Sequence, residues 1–176
     1  LVLRGARQVG KSYLLREFAK KNFSHCIEVN FEQRPELKAI FNSNDSKEIL
    51  KQLSRIFSVP VEAEKTILFL DEIQECPADF LALRYFFEQT PETPVVAAGS
   101  LLDFMLQEQA EDLRVPVGRI EYKFLHPLSF IEYLDAIGRS GLIAAIQEIS
   151  LKSPPPESIH NEALKEFGNY ILVGGM

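Results

Sequence analysis

The sequence predicts an α/β fold in which a parallel sheet of about five strands is flanked by helices and followed by a small helical region. Short apolar runs alternate with segments of helical periodicity in the first two thirds of the chain, whereas only helical patterns fill the remainder. The apolar run 67–70 is continuous rather than alternating, which is typical of a parallel strand buried on both faces. A chain of 176 residues is long enough for one such domain with a sizeable core.

Each predicted element follows from apolar periodicity and from the residues that begin or end it. The first helix has apolar positions at helical spacing, and Lys20-Lys21-Asn22 favours its end. Asn44-Asp45-Ser46 offers N-caps to a second helix, and Pro77 suits the start of a third. Residues 32–44 are polar and interrupted by Pro35, so no element is predicted there. Strands are predicted at 1–3, 26–31, 67–70, 95–98 and, more weakly, 119–124, and further helices at 101–109, 129–138, 141–151 and 157–172.

A glycine-containing loop between the first strand and the first helix is the most informative motif. It fits G-x-x-x-x-G-K-[ST], and the flanking strand and helix are the context that this motif requires. Glycines let successive backbone N–H groups cradle phosphate oxygens, and the following helix adds its positive N-terminal end. Lys11 is predicted to reach the β- and γ-phosphates and Ser12 to ligate Mg²⁺. This segment, called the P-loop below, is Gly5-Ala6-Arg7-Gln8-Val9-Gly10-Lys11-Ser12.

An acidic pair, Asp71-Glu72, follows the run 67–70 and completes the predicted site. Ligands collect at the carboxyl edge of a parallel sheet, so this strand is expected next to the P-loop strand. Asp71 is predicted to hold the Mg²⁺ hydration shell with Ser12, and Glu72 to orient and deprotonate the water that attacks the γ-phosphate. Alone, an acidic pair after an apolar run is more simply a strand end that meets solvent. Its position after a P-loop favours the functional interpretation.

Two further polar residues are candidates for the same site, and each also has an ordinary explanation. Ser100 follows the strand 95–98, where its hydroxyl could contact the γ-phosphate or the attacking water, although Gly-Ser after a strand is also a common turn. Arg119 precedes the last strand candidate, and the two interpretations are charge neutralisation at the γ-phosphate and a surface ion pair. Arg7 is expected to point outward, because the P-loop binds phosphate through backbone amides. The role of Gln74 is open.

Composition and charge narrow the class of protein. A formal net charge of −6 does not favour a duplex-DNA binder, while a local basic face stays open. No apolar run approaches the roughly 18 residues of a membrane helix, and no secretory signal precedes the first strand. Cys26 and Cys76 lack C-x-x-C spacing and the three histidines do not cluster, which predicts reduced thiols in a cytoplasmic protein and no Cys or His metal site.

The change from an alternating to a purely helical pattern predicts the division of the chain. Residues 1–126 are expected to form the nucleotide-binding core and residues 127–176 a helical extension. Leu1 begins inside the first predicted strand, and Met176 follows Gly174-Gly175 after an apolar run. Both ends are therefore expected to continue in the natural protein, with the extension leading to a further C-terminal domain.

In combination, these segments resemble one group of AAA-type P-loop ATPases. The group comprises bacterial and archaeal ATP-binding proteins in which an N-terminal AAA domain precedes a C-terminal domain of unknown function with a nuclease-like fold. The segment from Tyr170 to Met176 is similar to the group's passage into that second domain. The other matching segments, in the expected order, are the P-loop, Leu70-Asp71-Glu72-Ile73-Gln74, Ala98-Gly99-Ser100, Gly118-Arg119 and Pro127-Leu128-Ser129-Phe130.

The resemblance implies an ASCE-type sheet with an extra strand beside the P-loop strand, ATP and Mg²⁺ as ligands, and Ser100 in the sensor position. It leaves open whether a nucleic acid or a protein is the partner. The leading hypothesis is an ATPase whose hydrolysis of ATP drives a conformational change in a partner or in the C-terminal domain. One alternative is a nucleotide-gated switch or scaffold that binds ATP and hydrolyses it very slowly, either because the chain is truncated or because an arginine must come from a neighbouring subunit of a homo-oligomer. The other is a small-molecule kinase, in which a water-orienting Glu72 has no obvious use.

Overall fold

The computed structural model describes residues 1–100, 118–150 and 154–175. The chain divides into two compact units, Leu1–Leu125 and His126–Met176. The first unit contains a five-stranded sheet in the order β2-β3-β4-β1-β5, and all of its strand pairs are parallel. This confirms the predicted α/β class. The strands are β1 (Val2–Arg4), β2 (His25–Asn30), β3 (Thr66–Asp71), β4 (Val95–Ala98) and β5 (Tyr122–Phe124).

One expectation about the sheet is wrong, because the strand of the acidic pair is not the neighbour of the P-loop strand. β4 lies between β3 and β1, and β1 pairs with β4 at Val2↔Ala97 and with β5 at Val2↔Tyr122. The order of strands along the chain does not fix which strands hydrogen-bond to each other. The sequence pattern therefore could not predict that β4 is the neighbour of β1. The inserted strand is the one that the ASCE resemblance implies. The carboxyl ends of β1, β3 and β4 still lie at one edge, because all three run parallel.

Helices connect the strands of the first unit. They are α1 (Lys11–Asn22), α2 (Ser46–Phe57) and α3 (Pro77–Gln89), with 3-10 segments at Pro35–Asn42 and Ile73–Glu75. The Asp45 side chain caps α2 by accepting hydrogen bonds from two backbone N–H groups in its first turn. The 3-10 segment at Pro35–Asn42 was not predicted, although it buries Leu37 and Phe41. The helix predicted at 101–109 lies outside the described residues.

Apolar residues cover both faces of the sheet, because successive side chains of a strand point to opposite sides. Leu68 and Leu70 of β3 belong to a buried cluster with residues of α2 and α3. Ile67 and Phe69 belong to a second cluster with Leu15 and other residues of α1. All six residues of β3 are buried, as the continuous apolar run predicts for a central strand.

The second unit is helical, with α4 (Phe130–Ala136), α5 (Ser140–Gln147) and α6 (Glu157–Val173). α4 begins with a capping box, in which Ser129 and Glu132 bond each other's backbone N–H groups. Aromatic rings of α4 and α6 pack together, and the Tyr170 hydroxyl donates to the Leu128 carbonyl at 2.7 Å. α5 ends before residue 151, the predicted end of its pattern. None of the described helices is long and apolar enough to cross a bilayer.

Candidate functional site

The P-loop joins β1 to α1 through backbone conformations that glycine favours. Gly5 has φ of 145° and Gly10 has φ of 92°, while Gln8 adopts φ of 65° despite its side chain. A Cβ atom at Gly5 would collide with the Leu125 carbonyl oxygen. The chain after β5 is held there because the Leu125 N–H donates to the Arg4 carbonyl at 2.8 Å. Gly5 therefore has both a conformational and a steric reason to be glycine.

Lys11 folds back onto the loop that precedes it. Its Nζ donates to the Gly5 carbonyl at 3.0 Å and to the Ala6 carbonyl at 2.7 Å, and the residue is 7% exposed. Burial lowers the pKa of Lys11, while the negative charges of Glu72 and Asp71 oppose that shift. The ammonium group thus lies inside the P-loop, where a phosphate group would need it.

Ser12 and Asp71, 59 residues apart in the chain, meet at the carboxyl edge of the sheet. The Ser12 Oγ donates to Asp71 Oδ2 at 2.9 Å, and Asp71 is 4% exposed. Burial raises the pKa of Asp71 and the charge of Glu72 adds to the rise, whereas the hydrogen bond from Ser12 lowers it. Asn30, the register partner of Asp71 on β2, donates from Nδ2 to the same carboxylate oxygen at 3.3 Å.

Glu72 follows β3 in the left-handed region, with φ of 52° and ψ of 47°. A residue other than glycine is uncommon there, and such conformations cluster at functional sites. Its N–H donates to Asp71 Oδ1 at 3.2 Å, and its Oε2 accepts a hydrogen bond from Gln74 Nε2 at 2.6 Å. The backbone conformation and these two bonds together fix the direction of the Glu72 carboxylate.

Ser100 follows β4 and lies beside the same cavity. Its Oγ is buried and has no hydrogen-bond partner among the described residues. An unsatisfied buried hydroxyl is rare in a folded protein, and it suits a site where a ligand or water completes the bonding. The cavity measures about 240 Å³ and is lined by Arg7, Gln8, Gly10, Lys11, Ser12, Tyr13, Glu72 and Ser100.

Arg119 is not brought to this cavity, and the interpretation that it reaches the γ-phosphate within its own chain needs correction. It precedes β5, whose Tyr122 pairs with Val2 at the start of β1, so Arg119 lies at the amino edge of the sheet. From there to the P-loop is the length of β1, roughly 10 Å at the rise of a strand. Its Nε pairs instead with Glu88 Oε1 at 2.8 Å, which is the ion pair of the alternative interpretation.

Sequence reasoning gave three neighbours of the cavity no role. Asn30 contacts Asp71, and its signal was its place at the end of the strand 26–31. Tyr13 lines the cavity although it is 72% exposed, and its position directly after the motif could have indicated this. Gln74 donates a hydrogen bond to Glu72, and its position two residues after Glu72 could have indicated this contact. Arg7 lines the cavity, and its guanidinium group pairs with Glu32 at 3.8 Å.

The donor set suits a magnesium–nucleotide complex better than a metal held by protein alone. No group of three or more His, Cys, Asp or Glu side chains in the described parts of the chain could hold a metal ion. Mg²⁺ keeps several waters and uses one or two carboxylates together with phosphate oxygens. Ser12 and Asp71, 2.9 Å apart beside the P-loop, provide a hydroxyl and a carboxylate of that kind.

One solved structure and one family description are similar to this chain. Among solved structures, the chain is similar to the Aeropyrum pernix ORC1 protein in complex with DNA, at 17% identity and a TM-score of 0.47. The similarity covers 80% of this chain and 42% of that chain, so the present chain spans less than half of that neighbour's length. No curated protein matches the chain significantly. Residues 1–134 match the family described as AAA domain, and because this is most of the chain, the protein belongs to the AAA domain family of ATP-binding modules.

Proposed function

We propose that this AAA domain binds ATP with Mg²⁺ and hydrolyses it. The observation that carries the proposal is the contact of Ser12 Oγ with Asp71 Oδ2 at 2.9 Å, next to a buried lysine. Two segments that are remote in the chain thereby bring a hydroxyl, a carboxylate and an ammonium group together at the carboxyl edge of the sheet. This is the combination that a metal-bound triphosphate requires.

Both backbone N–H groups and side chains would contact the triphosphate and its metal. The N–H groups of the P-loop and of the first turn of α1 would donate to phosphate oxygens, and Gly10 leaves that helix start without a side-chain cap. Lys11 would exchange its bonds to the Gly5 and Ala6 carbonyls for bonds to the β- and γ-phosphates. Ser12 and Asp71 would hold Mg²⁺. When bound, the metal would neutralise negative charge on the β- and γ-oxygens.

Glu72 is proposed as the general base. It lines the cavity beside Ser12, where its carboxylate would orient a water molecule and accept its proton as the water oxygen bonds to the γ-phosphorus. The bond between that phosphorus and the bridging oxygen breaks, and ADP leaves with the electron pair. Ser100 Oγ, which lacks a partner among the described residues, would donate to a γ-phosphate oxygen or to the water.

The second part of the proposal is the use that the protein makes of hydrolysis. ATP turnover would drive a conformational change in a partner or in a C-terminal domain of the nuclease-like kind found in the group that the sequence resembles. Nucleotide hydrolysis by the natural full-length protein, measured with and without nucleic acid, tests that part. Stimulation by nucleic acid would support a coupled nuclease or motor, and no stimulation would favour a protein partner.

The chemical proposal is tested by comparing Glu72→Gln with a matched control, Glu75→Gln. Glu75 lies three residues further on, is exposed, and pairs with Lys38 at 3.5 Å. We expect Glu72→Gln to bind ATP normally and to lose turnover by about 10²- to 10⁴-fold, the usual contribution of a general base. Glu75→Gln should turn over like the parent, and chelation of Mg²⁺ should abolish hydrolysis in all three. Equal turnover by Glu72→Gln and the parent would remove Glu72 from this role.

The position of Arg119 favours one alternative, a nucleotide-gated switch that hydrolyses slowly as a single chain. Among the described residues, the cations that line the cavity are Arg7 and Lys11, and Arg119 lies at the other edge of the sheet. A second subunit would then supply the missing arginine. Specific activity measured against protein concentration separates the two cases, since a rise indicates assembly and a flat profile indicates a self-sufficient domain.

A further inference from the structure

Gln74 is a polar residue next to the site that the proposed mechanism does not use. It lies in the 3-10 turn Ile73–Glu75, and its side chain turns back toward the residue that precedes the turn. Its Nε2 donates to Glu72 Oε2 at 2.6 Å, one of the shortest side-chain hydrogen bonds in the described structure. Hydrogen bonds to a charged acceptor are stronger than neutral ones.

The backbone of Glu72 is already fixed without Gln74. Its conformation is left-handed, its N–H donates to Asp71 Oδ1 at 3.2 Å, and its carbonyl accepts from the Glu75 N–H at 2.9 Å. What remains free is rotation of the long Glu72 side chain, which has three torsions. The amide of Gln74 removes that freedom by holding one carboxylate oxygen. The other oxygen, Oε1, accepts no hydrogen bond within the described residues.

The oxygen of the Gln74 amide adds a cost in folding free energy to this arrangement. Its Oε1 is buried and has no hydrogen-bond partner in the part of the chain that the structure describes. An unmade bond to a buried polar atom opposes folding, so an apolar side chain of the same length would be less costly at this position. Within the ranges that the structure describes, the hydrogen bond to Glu72 is the one side-chain bond that Gln74 makes in return.

We propose that Gln74 is a positioning residue for hydrolysis: it holds Glu72 Oε2 so that Oε1 is left to the attacking water. The inference rests on the proposed ATPase function of the same site. Gln74 itself does not line the cavity and is not assigned contact with nucleotide. Its removal should therefore slow the chemical step and leave nucleotide affinity unchanged.

The test compares Gln74→Met with a matched control, Gln52→Met, in the whole chain. Gln52 also donates from Nε2 to a glutamate, at 3.2 Å to Glu48 Oε1, but on the surface of α2. Turnover, the KM for ATP and thermal stability would be measured for both variants, and single-turnover rates would be measured for Gln74→Met in a Glu72→Gln background. Gln74→Asn, which keeps the amide but shortens the side chain so that it no longer reaches Glu72 Oε2, carries the same test if the methionine variant does not fold.

The expected result for Gln74→Met is a kcat about tenfold lower, a KM within twofold of the parent and a melting temperature no lower than that of the parent, with Gln52→Met like the parent. Without the Glu72 carboxylate, the same substitution should cause no further loss. A parent-like kcat, or an equal loss in the Glu72→Gln background, would overturn the positioning role. A parent-like Glu72→Gln variant would instead overturn the proposed function, so the two failures are distinguishable.

Discussion

The amino and carboxyl edges of the sheet each have a cavity, and the larger cavity is not the one that collects the polar groups of the candidate site. The amino edge has the larger cavity, about 410 Å³, lined mainly by apolar side chains such as Phe86 and Ile120 and bordered by the Arg119–Glu88 pair. The carboxyl edge has only about 240 Å³ but collects the buried lysine, the Ser12–Asp71 contact and the left-handed Glu72. Two residues other than glycine with positive φ, Gln8 and Glu72, lie at the edge where chemistry is proposed, as do two buried polar atoms without a partner among the described residues, Gln74 Oε1 and Ser100 Oγ. They mark the site better than cavity size does.

Exchanging one glycine at each edge for alanine should show this difference most strongly. Gly5→Ala forces a strained φ and a collision with the Leu125 carbonyl, so we expect a loss of about 3 kcal/mol in the free energy of unfolding. Gly118→Ala, at φ of 79° with nothing within 4 Å of the new Cβ, should lose about 1 kcal/mol. Urea unfolding of both variants measures the two values. Equal losses would show that the close approach at Gly5 is not a constraint.

Removing one lysine from each edge should separate binding from surface charge. Lys11→Ala loses the buried ammonium group, and we expect the Kd for ATP to rise about 10- to 100-fold, as for hydrogen bonds to a charged group. Lys65→Ala removes an exposed ammonium group that pairs with Glu62 at 2.9 Å, just before β3, and should change the Kd by less than twofold. Isothermal titration calorimetry measures both. Similar affinities for the two variants would contradict the assignment of Lys11.

The smallest effect is expected at Arg119, because its partner Glu88 is on the same edge and the arginine side chain is 39% exposed. Arg119→Ala should reduce the free energy of unfolding by at most about 1 kcal/mol, as is usual for an exposed ion pair. ATP turnover at low protein concentration should stay within twofold of the parent. A loss of turnover that develops only at high concentration would assign Arg119 to a neighbouring subunit, and a loss at every concentration would contradict its placement away from the cavity.

The parts of the site that the sequence predicted are those set by a local motif and by strand direction. The P-loop motif specifies its own strand, loop and helix, and parallel strands place the residues that follow them at one edge, which is why Ser12 and Asp71 meet. The same rule could have excluded Arg119 from that edge, since a residue that precedes a parallel strand lies at the opposite end. The prediction for Arg119 followed its charge and not its place relative to the strand.

Other features depend on three-dimensional neighbours that no spacing reveals. The place of β4 between β1 and β3 is a choice among hydrogen-bonding partners, and each order is compatible with the same apolar runs. Asn30 contacts Asp71 because β2 and β3 pair in that register. The hydrogen bond from Gln74 to Glu72 depends on the left-handed backbone conformation of Glu72. Glutamate does not favour that conformation, so the sequence could not predict it.

The hold of Lys11 on the carbonyl oxygens of its own loop has a consequence for nucleotide exchange. Because the ammonium group already has two oxygen partners, an arriving phosphate displaces ligands instead of meeting a bare cation. The contribution of Lys11 to nucleotide affinity would then be the difference between its contacts to phosphate and its contacts to the Gly5 and Ala6 carbonyls, and this difference is moderate. On the proposed mechanism, the ammonium group would return to the Gly5 and Ala6 carbonyls once product has left. The ammonium group of the P-loop would thereby keep oxygen partners between one nucleotide and the next.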